Sequence, residues 1–380
     1  MPRALIWVTH LLGTGHTVRA AALARALAGR GTAVTLVVGA TPPATLDLAG
    51  LDVVALPPVR ATDATFARIV GADGRPYEAL VAGRAALLGE VVAGVRPDVI
   101  VTEAFPLGRR AFAAELVPLL SGLAVGRRRP VVAASVRDVL VRKPPAKEAA
   151  MAALARRWYD LVLVHGDPSL VSLPDTFGAA GAIADLTHHT GYVDAGPVAA
   201  RAAPGECGDV VVSCGGGAVG ARLVEAALGA ARRVRERRFR IFVPAALAHR
   251  IEGWRAAAPD NALVEPNRRD FRALLVGAAL SVSQAGYNTA VDVVASGVRA
   301  IFVPFAADGE TEQTDRAAAF EARGLARVVE EASLDVDQLV EAVRAALAAP
   351  PPARPELDLR GAERSAELLL AAVDARTALA

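Results

Sequence analysis

Three stretches of the sequence put reactive or ligand-binding side chains directly after a β-branched run. In the first, Ala4–Thr9 leads into His10-Leu11-Leu12-Gly13-Thr14-Gly15-His16, and a helix-forming segment opens at Thr17. Gly13 and Gly15, with Thr14 between them, would let backbone N–H groups approach an anion at a helix start; a tight strand-to-helix turn accounts for them equally well. His16 falls at the end of the sheet where open α/β folds bind ligands. Its ordinary pKa suits general base work near neutrality, although a lone histidine is more often structural. In the second stretch, Val210-Val211-Val212-Ser213-Cys214 precedes Gly215, Gly217 and Gly220, which have the Gly-x-Gly-x-x-Gly dinucleotide spacing. An NAD site also needs an acid ending the next strand. Arg240-Ile241-Phe242-Val243 ends in Pro244, and the corresponding run in the first half ends in Gly39-Ala40. NAD is therefore disfavoured, and a phosphate-cradling loop of Gly216, Gly217, Ala218 and Gly220 remains.

The third stretch runs from Ser281 to Arg316. A strand is expected to end at Ser283, with the turn at Gly286. The helix that follows, through Tyr287 and Asn288, would aim its donor N–H groups at a pyrophosphate. Asp292 lies about one turn into that helix, within reach of ribose hydroxyls. After Val303-Pro304-Phe305, Glu312 and Gln313 are offered to sugar hydroxyls. Arg268, just past another strand end, could reach the same place or be a solvated loop charge. Helix caps and a solvated loop would explain each group singly, but not their collection at consecutive strand ends.

The elements that must hold these groups follow from pattern. Strands are expected at Ala4–Thr9, Ala33–Val38, Asp52–Leu56, Asp98–Thr102, Pro130–Ser135 and Leu161–Val164, with helices such as Thr17–Arg30, Tyr77–Val95 and Ala146–Trp158 between them. The runs are continuously apolar, as in a parallel sheet covered on both faces, and the alternation indicates a doubly wound α/β fold. Small residues and prolines from Gly191 to Gly208 read as a linker. The rhythm then restarts at Asp209–Ser213, Arg240–Val243, Ala262–Val264, Leu280–Val282, Ala300–Val303 and Leu325–Val329, until Pro350-Pro351-Pro352. The expected division is residues 1–195, a hinge at 196–208, a second domain at 209–349, and a tail at 350–380 whose helix packs toward the first domain.

The 380 residues suffice for two cores. A hydrophobic content of 53% excludes intrinsic disorder. The longest apolar runs, such as Ala273 to Leu280, are well under the ~20 residues of a spanning helix. A net charge of +2 gives no case for nucleic acid. With only Cys207 and Cys214, no disulfide framework or cysteine zinc site is expected, and with no signal peptide the expected home is the cytoplasm.

These motifs resemble those of glycosyltransferases of the GT-B architecture, most closely the family that includes the peptidoglycan N-acetylglucosaminyl transferase acting on lipid I. The resemblance spans nearly the whole chain and is strongest from Val210 to Arg323. It implies two Rossmann-like domains facing a cleft, the first for the acceptor and the second for a nucleotide-sugar donor, UDP-sugar being favoured. It places His16 on the family's histidine after the glycine turn, Gly286 on the pyrophosphate turn, Asp292 on the acidic ribose ligand, and Glu312 with Gln313 on the pair facing the donor sugar. The implied reaction is a single inverting displacement without metal or tightly bound cofactor. Two positions depart from the pattern: Ala218 stands where Ser is usual, and Arg316 where the peptidoglycan enzyme has Asn. The overall text is closer to a poorly characterised bacterial branch than to that enzyme.

Other residues complete the expectations. Glu103, at the same sheet end as His16, would orient the acceptor or support His16. His165-Gly166-Asp167 would face the cleft or cap the next segment; His188-His189 reads as structural. Asp335-Val336-Asp337 imitates a metal-binding Asp-x-Asp but better fits a helix cap. Nine basic residues against two acidic from Arg127 to Arg157 suggest a positive face, with weak peripheral membrane contact as its sharper reading. Acceptor choice is assigned to Pro57–Pro76 and Phe105–Arg110. Two alternatives remain: Gly13-Thr14-Gly15-His16-Thr17-Val18-Arg19 also resembles the Gly-x-Gly-His-x-x-Arg turn of UDP-sugar hydrolases, whose fold sugar-nucleotide 2-epimerases share, and the chain could bind nucleotide sugars without catalysis.

Overall fold

The structure, a computed structural model, describes residues 1–11, 13–62, 68–124, 129–196, 208–215, 219–306, 311–350 and 356–378. The chain forms two compact units, residues 1–195 with 358–380, and residues 196–357. Most of the expected hinge, together with Cys207, Arg127, Arg128 and the turn Gly216-Gly217-Ala218, lies outside the described residues.

The first unit begins with β1 (Arg3–Val8), α1 (Gly15–Ala28), β2 (Ala33–Val38) and β3 (Asp52–Ala55). A short antiparallel hairpin follows, β4 (Val59–Ala61) and β5 (Ile69–Gly71). Next come α2 (Val81–Val95), β6 (Val99–Glu103), α3 (Ala113–Ala124), β7 (Val131–Arg137), α4 (Pro145–Trp158), β8 (Leu161–His165), α5 (Leu173–Thr176) and β9 (Thr187–His189). The sheet is seven-stranded in the order β3-β2-β1-β6-β7-β8-β9, with every pairing parallel. The strand order reverses between β1 and β6.

Side-chain alternation explains the continuous apolar runs. In β1, Leu5 and Trp7 enter one core while Ala4, Ile6 and Val8 enter the other. The same division holds in β7, with Val132, Ala134 and Val136 opposite Val131 and Ala133. The second core is closed by α1 and by residues from the far end of the chain, Ala366, Leu369 and Val373.

The second unit contains β10 (Val210–Ser213), α6 (Ala221–Arg233), β11 (Phe239–Val243), α7 (Ile251–Ala257), β12 (Ala262–Pro266), α8 (Phe271–Gly277), β13 (Leu280–Ser283), α9 (Tyr287–Ser296), β14 (Ala300–Phe302), α10 (Glu312–Ala322), β15 (Arg327–Val328) and α11 (Val336–Ala348). Its six parallel strands run β12-β11-β10-β13-β14-β15, reversing between β10 and β13. The Asp335 carboxylate accepts the Gln338 N–H at 2.8 Å and caps α11, so the Asp-x-Asp stretch is a helix start. The last helix, α12 (Gly361–Ala378), belongs to the first unit.

Two local expectations need correction. The loop Pro57–Pro76 contains the β4–β5 hairpin. His188-His189, expected to be structural, ends strand β9. The helix expected from Tyr77 starts at Val81, because Tyr77–Ala79 forms a separate 3-10 turn that buries the Tyr77 ring.

Beneath that turn lies a fully buried ion pair. Arg84 donates to Glu115, to the Gly39 carbonyl and to the Pro57 carbonyl, while the Tyr77 hydroxyl donates to Glu115 Oε1 at 2.8 Å. The pair thus ties α2, α3 and the segment leading into the hairpin. Glu115→Leu leaves the guanidinium buried without its carboxylate, and should cost about 3–5 kcal/mol. Urea unfolding should also show that adding Arg84→Met to Glu115→Leu costs less than the two single losses summed.

Candidate active site

At the reversal point of the first sheet, β1 feeds the glycine turn and α1, and β6 ends in Glu103. This is the crevice position of open α/β sheets. Thr14 precedes α1 without capping it by side chain, and a Cβ on Gly13 would meet nothing within 4 Å. His16, the second residue of α1, is buried, and its Nδ1 lies 2.8 Å from Glu103 Oε1. Arg19, one turn along the same helix, donates to the same carboxylate oxygen. Ser135, two residues before the end of β7, donates to Glu103 Oε2. Behind it, His165 Nε2 lies 2.8 Å from Ser135 Oγ, and His165 Nδ1 2.8 Å from Thr190 Oγ1.

Burial by itself would raise the Glu103 carboxyl; the Arg19 charge and the hydrogen bonds from His16 and Ser135 bring it well below the usual range. An ionised carboxylate only accepts, so His16 Nδ1 carries the proton of the 2.8 Å contact. The 3.2 Å approach of Arg19 Nη2 to Nδ1 is then two donors aimed at one oxygen. Burial, followed by the Arg109 charge, pushes the His16 pKa well below 6.5, more than Glu103 raises it. The imidazole is therefore neutral near pH 7, with Nε2 as a free lone pair. His165 is fully buried, and burial with the Arg19 charge brings it down to about 3. Its ring does not open to solvent; in the same stretch Asp167 Oδ1 accepts the Ser169 N–H at 2.9 Å and so caps the next turn. His10, whose Nδ1 is 2.8 Å from Thr17 Oγ1, is down to about 4, chiefly from burial and then Arg109.

The corresponding position in the second unit is built from backbone and hydroxyls. Gly215 and Gly220 have φ of +68° and +112°, where side chains are strained, and a Cβ on Gly220 would come within 2.5 Å of Cys214 Cβ. The Ser213 hydroxyl accepts the Gly215 N–H at 3.2 Å. Ser213 pairs in register with Ser283, which is fully buried and whose Oγ has no hydrogen-bond partner among the described residues. Gly286 precedes α9 and supplies no side-chain cap, and Tyr287 and Asn288 form the first turn of that helix. A Cβ on Gly286 would meet nothing within 4 Å, so internal packing does not require glycine there.

Each acidic residue expected at the donor has an arginine partner. Asp292 is 2.8 Å from Arg272 Nε, and Glu312 Oε1 is 2.8 Å from Arg316 Nη2. Arg316 is fully buried, donates to the Ala285 carbonyl at 2.8 Å, and lies over the Tyr287 ring. It thus ties α10 to the turn before α9. Gln313 accepts the Phe305 N–H at 3.1 Å, which orients its amide. Arg268 is engaged by Asp270 at 2.6 Å and by Glu265 at 3.6 Å.

Sequence reasoning named Arg19 only as part of the Gly-x-Gly-His-x-x-Arg turn, without its bond to Glu103, and missed Ser135, Arg272 and the position of His165. Arg19 carried a local signal, being one helical turn from His16. The others meet across neighbouring strands or helices, with no spacing to announce them. Among the described residues no group of three or more His, Cys, Asp or Glu is arranged to hold a metal ion, and no helix is long and apolar enough to cross a membrane.

Residues 211–356 match the glycosyltransferase family 28 C-terminal domain. Over 108 residues the chain is 37% identical to the UDP-N-acetylglucosamine--N-acetylmuramyl-(pentapeptide) pyrophosphoryl-undecaprenol N-acetylglucosamine transferase of Acidithiobacillus ferrooxidans, covering 28% of this chain and 29% of that protein. The chain thus spans under a third of the length of the curated relatives it matches. Among solved structures, the calicheamicin glycosyltransferase CalG4 aligns over 100% of this chain and 96% of its own, with TM-score 0.61 and 17% identity. MurG of Acinetobacter baumannii aligns over 97% and 100%, with TM-score 0.57 and 18% identity. The spinosyn rhamnosyltransferase SpnG, solved with thymidine diphosphate, covers 100% and 96% at TM-score 0.59 and 17% identity. The fold is GT-B. In GT-B terms the first unit is the N-terminal Rossmann-like domain, and the second carries the family 28 match.

The depressed histidines make the stability of the N-terminal GT-B domain pH-dependent. An unfolded histidine titrates near about 6.5, while His10 and His165 do so at about 4 and about 3 in the folded chain. The unfolded chain therefore takes up protons first. Stability is full above about pH 6.5 and falls as pH drops toward those folded values. His165→Gln should reduce the loss between pH 7 and pH 5 by about 2 kcal/mol. Urea unfolding followed by Trp7 and Trp158, in a Trp254→Phe background, checks this.

Proposed function

We propose that this chain transfers a sugar from a nucleoside-diphosphate sugar to an acceptor hydroxyl, with His16 as general base. The observation that carries the reading is the 2.8 Å contact of His16 Nδ1 with Glu103 Oε1 at the reversal point of the first sheet. It leaves Nε2 of a neutral imidazole to take the acceptor proton. As that O–H bond breaks, the acceptor oxygen bonds to the anomeric carbon and the carbon–oxygen bond to the diphosphate breaks. One displacement inverts the anomeric centre. In this reading Glu103 holds the imidazole and stabilises the imidazolium that forms.

The donor belongs to the second unit. The departing diphosphate takes backbone N–H groups from the Gly216-Gly217-Ala218-Gly220 turn and from the open end of α9 at Gly286, Tyr287 and Asn288, with Ser283 beneath. These donors carry the leaving-group charge without a metal ion. Asp292 takes ribose hydroxyls, Glu312 and Gln313 take the sugar, and Arg268 borders the site. The relatives' name favours a UDP-sugar, while SpnG, solved with thymidine diphosphate, makes dTDP the competing choice. Arg142, Lys143 and Lys147 are exposed at the start of α4, a basic face suited to weak contact with a cytoplasmic membrane surface.

A hydrolase is the second reading, favoured by the one-turn pairing of His16 and Arg19 on Glu103 within the Gly-x-Gly-His-x-x-Arg turn. Nucleotide release with water as the only acceptor would select it.

Thermal unfolding with UDP, dTDP, GDP, ADP and NAD should show one nucleoside diphosphate stabilising the chain, by about 2.7 kcal/mol at 100 times its dissociation constant, and NAD none. His16→Ala should keep that shift while lowering turnover about 10²–10⁴-fold. Unchanged turnover in His16→Ala would remove the proposed base, and a shift with NAD alone would remove the proposed donor class. Turnover should persist in EDTA.

A further inference from the structure

We propose that Ser135 and His165 are positioning residues which, acting through Glu103, fix the tautomer and orientation of His16. This rests on the reading of His16 as the base, but the hydrogen-bond direction it requires is measurable without any turnover.

The direction follows from counting protons. Glu103 is buried to 1% exposure and, ionised, has no proton to give. The single hydroxyl proton of Ser135 is committed to Glu103 Oε2. Ser135 Oγ can then only accept from His165 Nε2, 2.8 Å away, so that nitrogen carries the hydrogen. A neutral imidazole protonated on Nε2 offers Nδ1 as acceptor, and the Thr190 hydroxyl, 2.8 Å away, donates to it. The Thr190 hydroxyl also faces the Gly191 and Val164 carbonyls, but at the longer distances of 3.1 and 3.4 Å. Ser135, His165 and Thr190 are each at most 1% exposed, so no bulk solvent offers substitute partners. Every proton therefore points one way, from Thr190 through His165 and Ser135 to Glu103 Oε2. Oε1 is left to take the Nδ1 proton of His16 and the Arg19 guanidinium.

The charged groups around the chain support a neutral His165 and a neutral His16. His165 faces Arg19 from α1, Glu103 from β6 and Asp138 just after β7. His16 faces Glu103, Arg19 and Arg109. Removing the Ser135 hydroxyl leaves Glu103 Oε2 without its donor, and the less compensated carboxylate draws His16 toward the imidazolium form. An imidazolium cannot accept a proton, so the acid limb of the pH–rate profile must move to higher pH.

The test uses the full chain labelled with ¹⁵N-histidine, whose six imidazoles give a small long-range ¹H–¹⁵N spectrum. The expected spectrum shows His165 neutral and protonated on Nε2 from pH 5 to 8, and His16 neutral and protonated on Nδ1 at pH 7. Ser135→Ala should blur the His16 pattern, raise the acid limb of kcat/KM, and lower kcat about tenfold with the donor KM unchanged. His165→Gln keeps an N–H donor near the Nε2 position and should preserve the His16 pattern; His165→Leu should disturb it as Ser135→Ala does. His165 protonated on Nδ1, His165 titrating within that range, or an unchanged His16 pattern in Ser135→Ala would each overturn the proposal. If Ser135→Ala disturbs the His16 pattern while His16→Ala keeps full turnover, the positioning network stands and the base assignment falls.

Discussion

The first unit is organised around one buried charge. A carboxylate at 1% exposure carries a desolvation cost of several kcal/mol unless donors surround it, and Glu103 receives three donors from two elements: His16 and Arg19 from α1, and Ser135 from β7. That requirement fixes the register between the start of α1 and the ends of β6 and β7. It also explains why His16 is held so far inside the fold, since an imidazole bonded to a buried carboxylate must share its burial. The same burial keeps the ring neutral. Structure and basicity therefore come from one constraint: the charge that orients His16 is itself compensated by Arg19, so it does not convert His16 into a permanent imidazolium.

The second unit solves a different problem on the same sheet plan. Both sheets reverse strand order beside their first strand, at β1/β6 and at β10/β13. In the first unit the strand ends carry titrating side chains. In the second they carry Ser213, Ser283 and glycines at positive φ, with an uncapped helix beginning at Gly286. Backbone donors of this kind hold a fixed partial positive charge at every pH. In the function proposed above, one reversal point moves a proton and the other holds an anion.

Much of the fold was legible because a parallel sheet covered on both faces leaves a local signature. The runs at Ala4–Val8 and Leu161–Val164 are apolar at every position, since odd and even residues enter different cores. His16, Glu103, Gly286 and Asp292 were legible as strand-end or helix-start residues. The hairpin β4–β5 was not, because three-residue strands carry too little periodicity to stand out from a loop. Ser135 and His165 were illegible for another reason. Their meaning is a contact across adjacent strands, 30 residues apart in sequence, and a single sequence records composition at each strand end without recording which ends share a carboxylate. Of the stretch His165-Gly166-Asp167, the cap is made by Asp167, whose Oδ1 accepts the Ser169 N–H at 2.9 Å, while the His165 ring turns into the core.

Arg316 shows how a departure from a family pattern can be read once its partners are known. As a residue standing where a related enzyme has Asn, it signalled only difference. Buried, it bonds Glu312 and the Ala285 carbonyl and covers Tyr287, so it joins the start of α10 to the turn before α9. The pairing does not remove Glu312 from ligand binding. A carboxylate offers about four acceptor sites, and Arg316 Nη2 donates to Oε1 at 2.8 Å. What the arginine changes is the desolvation cost of the Glu312 carboxylate at 5% exposure, and its freedom to turn. Asp292 with Arg272 repeats the arrangement in α9. Acidic groups held this way remain hydrogen-bond acceptors while adding little net negative charge. That combination suits a region expected to receive both the hydroxyls of a sugar and an anionic diphosphate.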